Sequence, residues 1–171
     1  MSRLLVIGGD AGGMSTASQA RRRRGADQLE IVAVDRGNYT SYSACGIPYW
    51  VAGDVGAAED LVARAPVVFR DQLDIEVLLR HEAVGLDLDR REAVLRDLDG
   101  GGERTLGFDQ LVIATGAVPV RPALPGIDLP GVFGVQTLDE HHRAARGGGQ
   151  RRLHRGAVWA AATSAWKWRR R

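Results

Sequence analysis

The chain is 171 residues long, 44% hydrophobic and 26% charged, with one cysteine and a net charge of +2, a length that suggests about one domain. One cysteine excludes an internal disulfide framework and fits a reducing cytoplasm, and no apolar run approaches the roughly 20 residues of a membrane span. Residues 150–171 hold seven basic side chains and no acidic one, so removing those seven charges from +2 leaves −5 for residues 1–149, which argues against a basic body built for nucleic acid.

The run 3–7 is wholly apolar after Arg3 and stops at a glycine, as a buried parallel strand should. It starts so close to Met1 that no signal peptide is expected ahead of it. Gly8, Gly9, Gly12 and Gly13 fill most of the loop 8–13, and 14–24 reads as a helix. A dinucleotide-pyrophosphate fingerprint wants glycine at its first, third and sixth positions. Gly8 and Gly13 supply the first and sixth. Asp10 stands at the third, where a backbone should approach a phosphate, and is a departure. The run 29–34 reads as the next strand and ends in Asp35, about 20 residues past the glycines, where a carboxylate can accept both ribose hydroxyls.

The stretch 40–49 reads Thr-Ser-Tyr-Ser-Ala-Cys-Gly-Ile-Pro-Tyr and carries the lone cysteine, Cys45. A lone cysteine is most often a small buried hydrophobe. Here it follows a glycine-rich strand-turn-helix and an acid-ended strand, and Gly46-Ile47-Pro48 offers a tight backbone to a flat ligand. A helix starting at Cys45 would aim its amides at the sulfur and favour thiolate. Tyr49 and Trp50 read as packing residues. The Gly/Ala-rich 50–60 reads as irregular, and 66–72 as a short helix with Pro66 near its start. The runs 75–79, 83–88 and 93–98 alternate and predict a small antiparallel meander. His81 reads as a surface strand residue, and no metal-like Cys/His cluster exists. The run 108–116 predicts a strand returning to the sheet and ending in Ala114-Thr115-Gly116, where small residues let backbone pass close to a cofactor. A proline-bearing loop follows at 119–127. Thr137 and Asp139 then precede a helical run with His141 and His142.

Ser41, Cys45, Pro48 and Tyr49 together resemble the Ser-(three residues)-Cys-Gly-x-Pro-Tyr segment of the single-cysteine, FAD-dependent pyridine nucleotide-disulfide oxidoreductases, and most closely the coenzyme A disulfide reductases. The Asp-x-hydrophobic-hydrophobic-Ala-Thr-Gly element at 109–116 and the Ala-Ser-Gln-x-Arg-Arg pattern at 17–22 are similar to that family as well. The resemblance covers residues 1 to 146 or so and implies an α/β fold: a three-layer, Rossmann-like FAD/NAD(P)-binding core with a small antiparallel β insertion. Substitution of the third glycine is also found within the family. The resemblance implies that Gly8, Gly9, Gly12, Gly13, Asp35 and Arg36 hold the ADP half of FAD and that Thr115 and Gly116 line it. It implies Cys45 as the redox group, with Ser41 supporting it, and Ser15, Gln19, Arg22, Ser41 and Ala44 as the contacts to coenzyme A. Ser15, Gln19 and Arg22 are spaced four and three apart, on one helical face. The other reading of Arg21 to Arg24 is that they complement the helix C-terminus before Gly25.

In the intact enzyme the resemblance implies a relay. NAD(P)H passes a hydride to FAD, the flavin passes electrons to Cys45, and a small substrate (coenzyme A disulfide or a related disulfide or persulfide) is reduced. It implies a cytoplasmic homodimer with neither nucleic-acid nor membrane partners. An NADH oxidase or peroxidase with Cys45 cycling through sulfenic acid is the alternative within the family. A catalytically inactive fragment is the alternative of another class, since weak or no flavin retention is expected without the family's later elements.

Beyond Arg146 the character changes. Three of the four tryptophans (Trp159, Trp166 and Trp168) crowd a segment of poor periodicity. Ala160 through Arg171 can be encoded so that the frame one base earlier reads GGGYIGVEVAEA, a nucleotide-binding glycine loop where the family has its second one. Residues 1–149 are therefore expected to be the N-terminal part of an FAD-binding domain, and 150–171 an out-of-frame tail. The rival is a real basic, tryptophan-bearing tail for nucleic acid or an anionic membrane.

Overall fold

The computed structural model describes residues 1–130, 132 and 134–140. The tail 150–171, His141 and His142 lie outside the described residues.

Four strands form a parallel sheet: β1 (Ser2–Ile7), β2 (Leu29–Val34), β3 (Ile75–Leu78) and β7 (Gln110–Ile113), in the order β3-β2-β1-β7. Leu4 sits opposite both Ile31 and Gln110, so β1 is central and paired on both edges. Alternation along the strands feeds two separate layers. Leu4, Val6, Ile31, Ala33 and Ile75 point to one face, where α1 (Ala11–Arg23) contributes Met14 and Ala17 and α3 (Pro66–Leu73) contributes Phe69. Leu5, Val32 and Val34 point to the other, against Ala93, Leu95 and Phe108. That second layer is an antiparallel meander of β4 (His81–Asp87), β5 (Glu92–Asp97) and β6 (Glu103–Gly107). The result is helix, parallel sheet and β-meander, the three-layer α/β arrangement expected.

Two expectations need correction. The run at 75–78 is not part of the meander but the outer strand of the parallel sheet, entered directly from α3 through Asp74 in the left-handed conformation (φ 49°). Local alternation cannot tell the two sheets apart. The preceding amphipathic helix decides it, because Phe69 must be buried against Ile75 and the α1 face of the sheet. The meander's third strand is instead β6, in a stretch whose charged residues hid it; Arg96 pairs with Glu103 across it at 2.7 Å. The irregular 50–60 in turn contains the end of α2 (Ile47–Ala52) and a 3-10 turn at Ala58–Leu61.

The arginines at the end of α1 divide in role. Arg21, its side chain 8% exposed, donates to the carbonyls of Leu73 (2.8 Å) and Asp74 (2.9 Å) and so caps α3. Arg22, Arg23 and Arg24 are exposed.

Candidate active site

The strand order reverses between β1 and β7, and the loops leaving the C-terminal ends of β1, β2 and β7 meet there, the usual ligand crevice of an open α/β sheet. Gly8 has φ 115°, and a Cβ on it would lie 2.1 Å from the Ala114 carbonyl oxygen. The backbone of the glycine loop therefore touches the end of β7 just before Thr115 and Gly116, both exposed. A Cβ on Gly13 would lie 1.8 Å from the Gly8 oxygen, so glycine is what allows α1 to start against its own strand. Asp10 stands at the N-cap of α1 without a side-chain capping hydrogen bond, and no acidic residue follows in the first turn. The amides of that turn and the positive end of the helix face the crevice.

Asp35 closes the second side. Its Oδ2 accepts the Gly9 N–H and its Oδ1 the Gly37 N–H, both at 2.7 Å. Each oxygen keeps a second lone pair free for a hydroxyl. Arg36 is exposed beside it, 3.9 Å from Glu82.

The cysteine segment lies directly against the glycine loop. The Gly9 carbonyl accepts the buried Thr40 hydroxyl and the Ser41 N–H, the latter at 3.3 Å. Ser41 is left-handed (φ 51°), a conformation unusual outside glycine, and its own carbonyl accepts the Ala63 N–H at 2.8 Å. Its visible contribution is thus main-chain. Ala44, Cys45 and Gly46 form a 3-10 turn, with Cys45 exposed. The α-helix begins at Ile47, not at Cys45, because Pro48 belongs in a first turn where its missing N–H costs nothing.

Ser15, Gln19 and Arg22 form an exposed face of α1, with Arg22 Nη1 donating to Gln19 Oε1 at 3.4 Å. A groove of about 710 Å³ along the outer edge of β3, lined by Pro66, Arg70 and Glu76 among others, contains none of these residues.

Sequence reasoning missed three participants. Thr40 is the buried hydroxyl that joins the two loops. Asp139 accepts both the Asn38 N–H (3.0 Å) and the Asn38 side-chain amide (2.6 Å), and Leu138 packs with Ile47, Ala58 and Leu61 under the cysteine turn. The segment 137–139 thereby returns to the site; the Thr-x-Asp spacing before a helical run was its only signal. Asp10 is the third. Burial pushes its carboxyl above the usual carboxylate value and Asp35 adds to this, while the amides of Tyr42 and Ala11 pull it down. Tyr42 is pushed up by burial first and by Asp10 next.

A sequence model described as pyridine nucleotide-disulphide oxidoreductase matches residues 2–158. The chain is 33% identical over 139 residues to an NADH oxidase of Methanocaldococcus jannaschii, covering 81% of this chain and 30% of that protein. It is 34% identical over 131 residues to an NAD(P)H coenzyme A polysulfide/persulfide reductase of Pyrococcus horikoshii, covering 77% and 28%. The solved structure of an NAD-dependent persulfide reductase from A. fulgidus superposes with a TM-score of 0.75 at 34% identity, over 82% of this chain and 26% of that one. The chain thus spans less than a third of the length of each.

Proposed function

Since the chain belongs to the pyridine nucleotide-disulphide oxidoreductase family, whose members are NAD(P)H-dependent FAD oxidoreductases, we propose that it carries the FAD cradle and redox cysteine of an enzyme reducing coenzyme A disulfide or a related disulfide or persulfide. The observation that carries this reading is the pair of hydrogen bonds from the Thr40 hydroxyl and the Ser41 N–H to the Gly9 carbonyl, which ties the cysteine segment to the dinucleotide loop.

The residues fit FAD. A Cβ on Gly8 or Gly13 would clash with backbone, no side-chain capping bond closes the start of α1, and each Asp35 oxygen accepts one amide and keeps a lone pair for a ribose hydroxyl. Gly8, Gly9, Gly12, Gly13 and Asp35 hold the ADP half, Arg36 flanks it, and Thr115 and Gly116 line it. Bound there, FAD supplies two-electron transfer from NAD(P)H. The chain's own chemistry is thiol exchange. The Cys45 thiolate attacks one sulfur of the disulfide, a Cys45–coenzyme A mixed disulfide forms, and one coenzyme A thiolate leaves. Ser15, Gln19 and Arg22 present donors to the coenzyme, Arg22 to a phosphate. Ser41 and Ala44 border the sulfur.

The test needs no turnover. The reduced chain is mixed with coenzyme A disulfide, with glutathione disulfide and with peroxide, and Cys45 adducts are followed by mass spectrometry. A mixed disulfide forming faster with coenzyme A disulfide than with glutathione disulfide, and slowed by Arg22→Ala, is the expected result. Equal rates with both disulfides would refute the substrate assignment. The relative named as an NADH oxidase supports a second reading, in which peroxide converts Cys45 to sulfenic acid faster than either disulfide reacts.

A further inference from the structure

The turn between β3 and β4 consists of Leu79 and Arg80, and it lies against the loop that leaves β2. Three consecutive carbonyls of that loop accept from Arg80 and its neighbour. Asp35 accepts the His81 N–H at 3.0 Å, Arg36 accepts Nη1 of Arg80 at 3.2 Å, and Gly37 accepts the Arg80 N–H at 3.1 Å. Arg80 is left-handed (φ 58°), which is uncommon for a residue with a Cβ. Glycine would adopt that conformation without strain and keep both main-chain bonds. It would lose the bond to Arg36.

The Arg36 carbonyl and the Gly37 N–H belong to one trans peptide unit and point in opposite directions. The guanidinium of Arg80 holds the carbonyl end, and the N–H end donates to Asp35 Oδ1 at 2.7 Å. A charged donor on a carbonyl polarises the peptide and strengthens the N–H on its other side. The unit is closely packed: a Cβ on Gly37 would lie 3.1 Å from Asp35 Oδ1 and 2.8 Å from Asp139 Oδ2. The ion pair of Arg80 Nε with Asp99 Oδ1, at 3.1 Å, does not by itself account for the arginine, because Asp99 is 69% exposed and exposed pairs contribute little. Asp99 is in turn fixed by its N–H on Asp97 Oδ1 at 2.9 Å, so the pair anchors the guanidinium beside the Arg36 carbonyl.

We infer that Arg80 is a positioning residue: its guanidinium, acting through the Arg36–Gly37 peptide, holds the Asp35 carboxylate in the orientation that receives a ribose. The ribose meaning rests on the FAD reading above. The hold on Asp35 does not, and the two are measured separately.

Arg80→Gly and Arg80→Met are compared with the parent in the full 171-residue chain. Glycine removes the guanidinium and relieves the left-handed backbone; methionine removes the guanidinium and keeps a Cβ there. An arginine that served only the turn would make glycine harmless and methionine harmful. Binding of ADP and of 2′-deoxy-ADP is measured by calorimetry. The parent should prefer ADP by about tenfold, the scale of one hydrogen bond to a charged group, and both variants by about threefold or less. Hydrogen exchange is followed by mass spectrometry without nucleotide. Peptides covering 35–38 should exchange about threefold or more faster in both variants, while 2–7 in the central strand should not change. Where methionine unfolds the chain, the glycine variant decides. An ADP preference in Arg80→Gly equal to that of the parent overturns the proposal, as does unchanged exchange at 35–38 or an equal rise at 2–7. A parent with no preference for ADP, whether it binds both nucleotides alike or neither, counts against the FAD reading, and the exchange result alone then decides whether Arg80 holds Asp35.

Discussion

Gly12 and Gly13 are neighbours in the first turn of α1, yet the structure assigns them opposite responses to alanine. A Cβ on Gly13 would sit 1.8 Å from the Gly8 oxygen and 3.0 Å from both the Gly8 carbonyl carbon and Val6 Cγ1. All belong to β1 or the turn leaving it, so no flexible side chain can yield. The helix start must lift off its own strand. Overpacking costs typically about 1–3 kcal/mol, and a backbone clash this deep belongs at the top of that range. Better helix propensity returns about 1 kcal/mol, leaving a net loss of roughly 2 kcal/mol. A Cβ on Gly12 would meet only Ala114 Cβ at 3.8 Å, an ordinary contact. Gly12→Ala should therefore gain up to about 1 kcal/mol in the ligand-free chain and, on the proposed FAD cradle, lose affinity for FAD because the added methyl group would crowd the approach of phosphates to the loop. Urea unfolding followed by circular dichroism, together with an FAD titration, measures both. At about 1–3 kcal/mol/M the Gly13→Ala midpoint should fall by roughly 1 M. Equal midpoints for the two variants, or a Gly13→Ala midpoint matching the parent, would refute the close approach of α1 to Gly8 on which the cradle depends.

Asp10→Asn tests the buried carboxyl. With its folded-state value raised above the ordinary 3.8 by burial first and Asp35 last, Asp10 binds its proton more readily when folded. Its penalty is absent below that ordinary value and grows as pH rises through the raised one. The asparagine variant should therefore be more stable than the parent at neutral pH, with the difference vanishing in acid; an advantage growing in acid would contradict this sign. Arg21→Ala should destabilise by about 1.5–3 kcal/mol, because two carbonyls at the end of α3 lose a charged donor. Arg22→Ala should stay within about 0.5 kcal/mol of the parent and slow only the exchange with coenzyme A disulfide; thermal melts of the pair separate them. Resequencing the gene from the codon of Thr137 should recover a one-base correction that restores GGGYIGVEVAEA in place of residues 160–171. An unbroken frame as written would instead support the basic tail.

Much of the crevice could be read locally. Gly8 and Gly13 follow an apolar strand, Asp35 ends the next, and Cys45 sits in a segment with its own pattern, because each depends on backbone conformation or charge at a single position. The partners of those residues could not be read this way. Thr40 and Ser41 reach Gly9 across 31 and 32 positions of chain, and Asp139 reaches Asn38 across 101. No local propensity encodes such bonds, which exist only once the strands align.

By itself the sequence determined the alternation that makes a two-faced sheet, the glycine turn that starts α1 and the acid that ends β2, since these follow from sterics and periodicity within a few residues. Tertiary structure alone decided that 75–78 joins the parallel sheet, because Phe69 had to be buried beside it. It also decided that Arg21 caps α3 while Arg22 stays exposed.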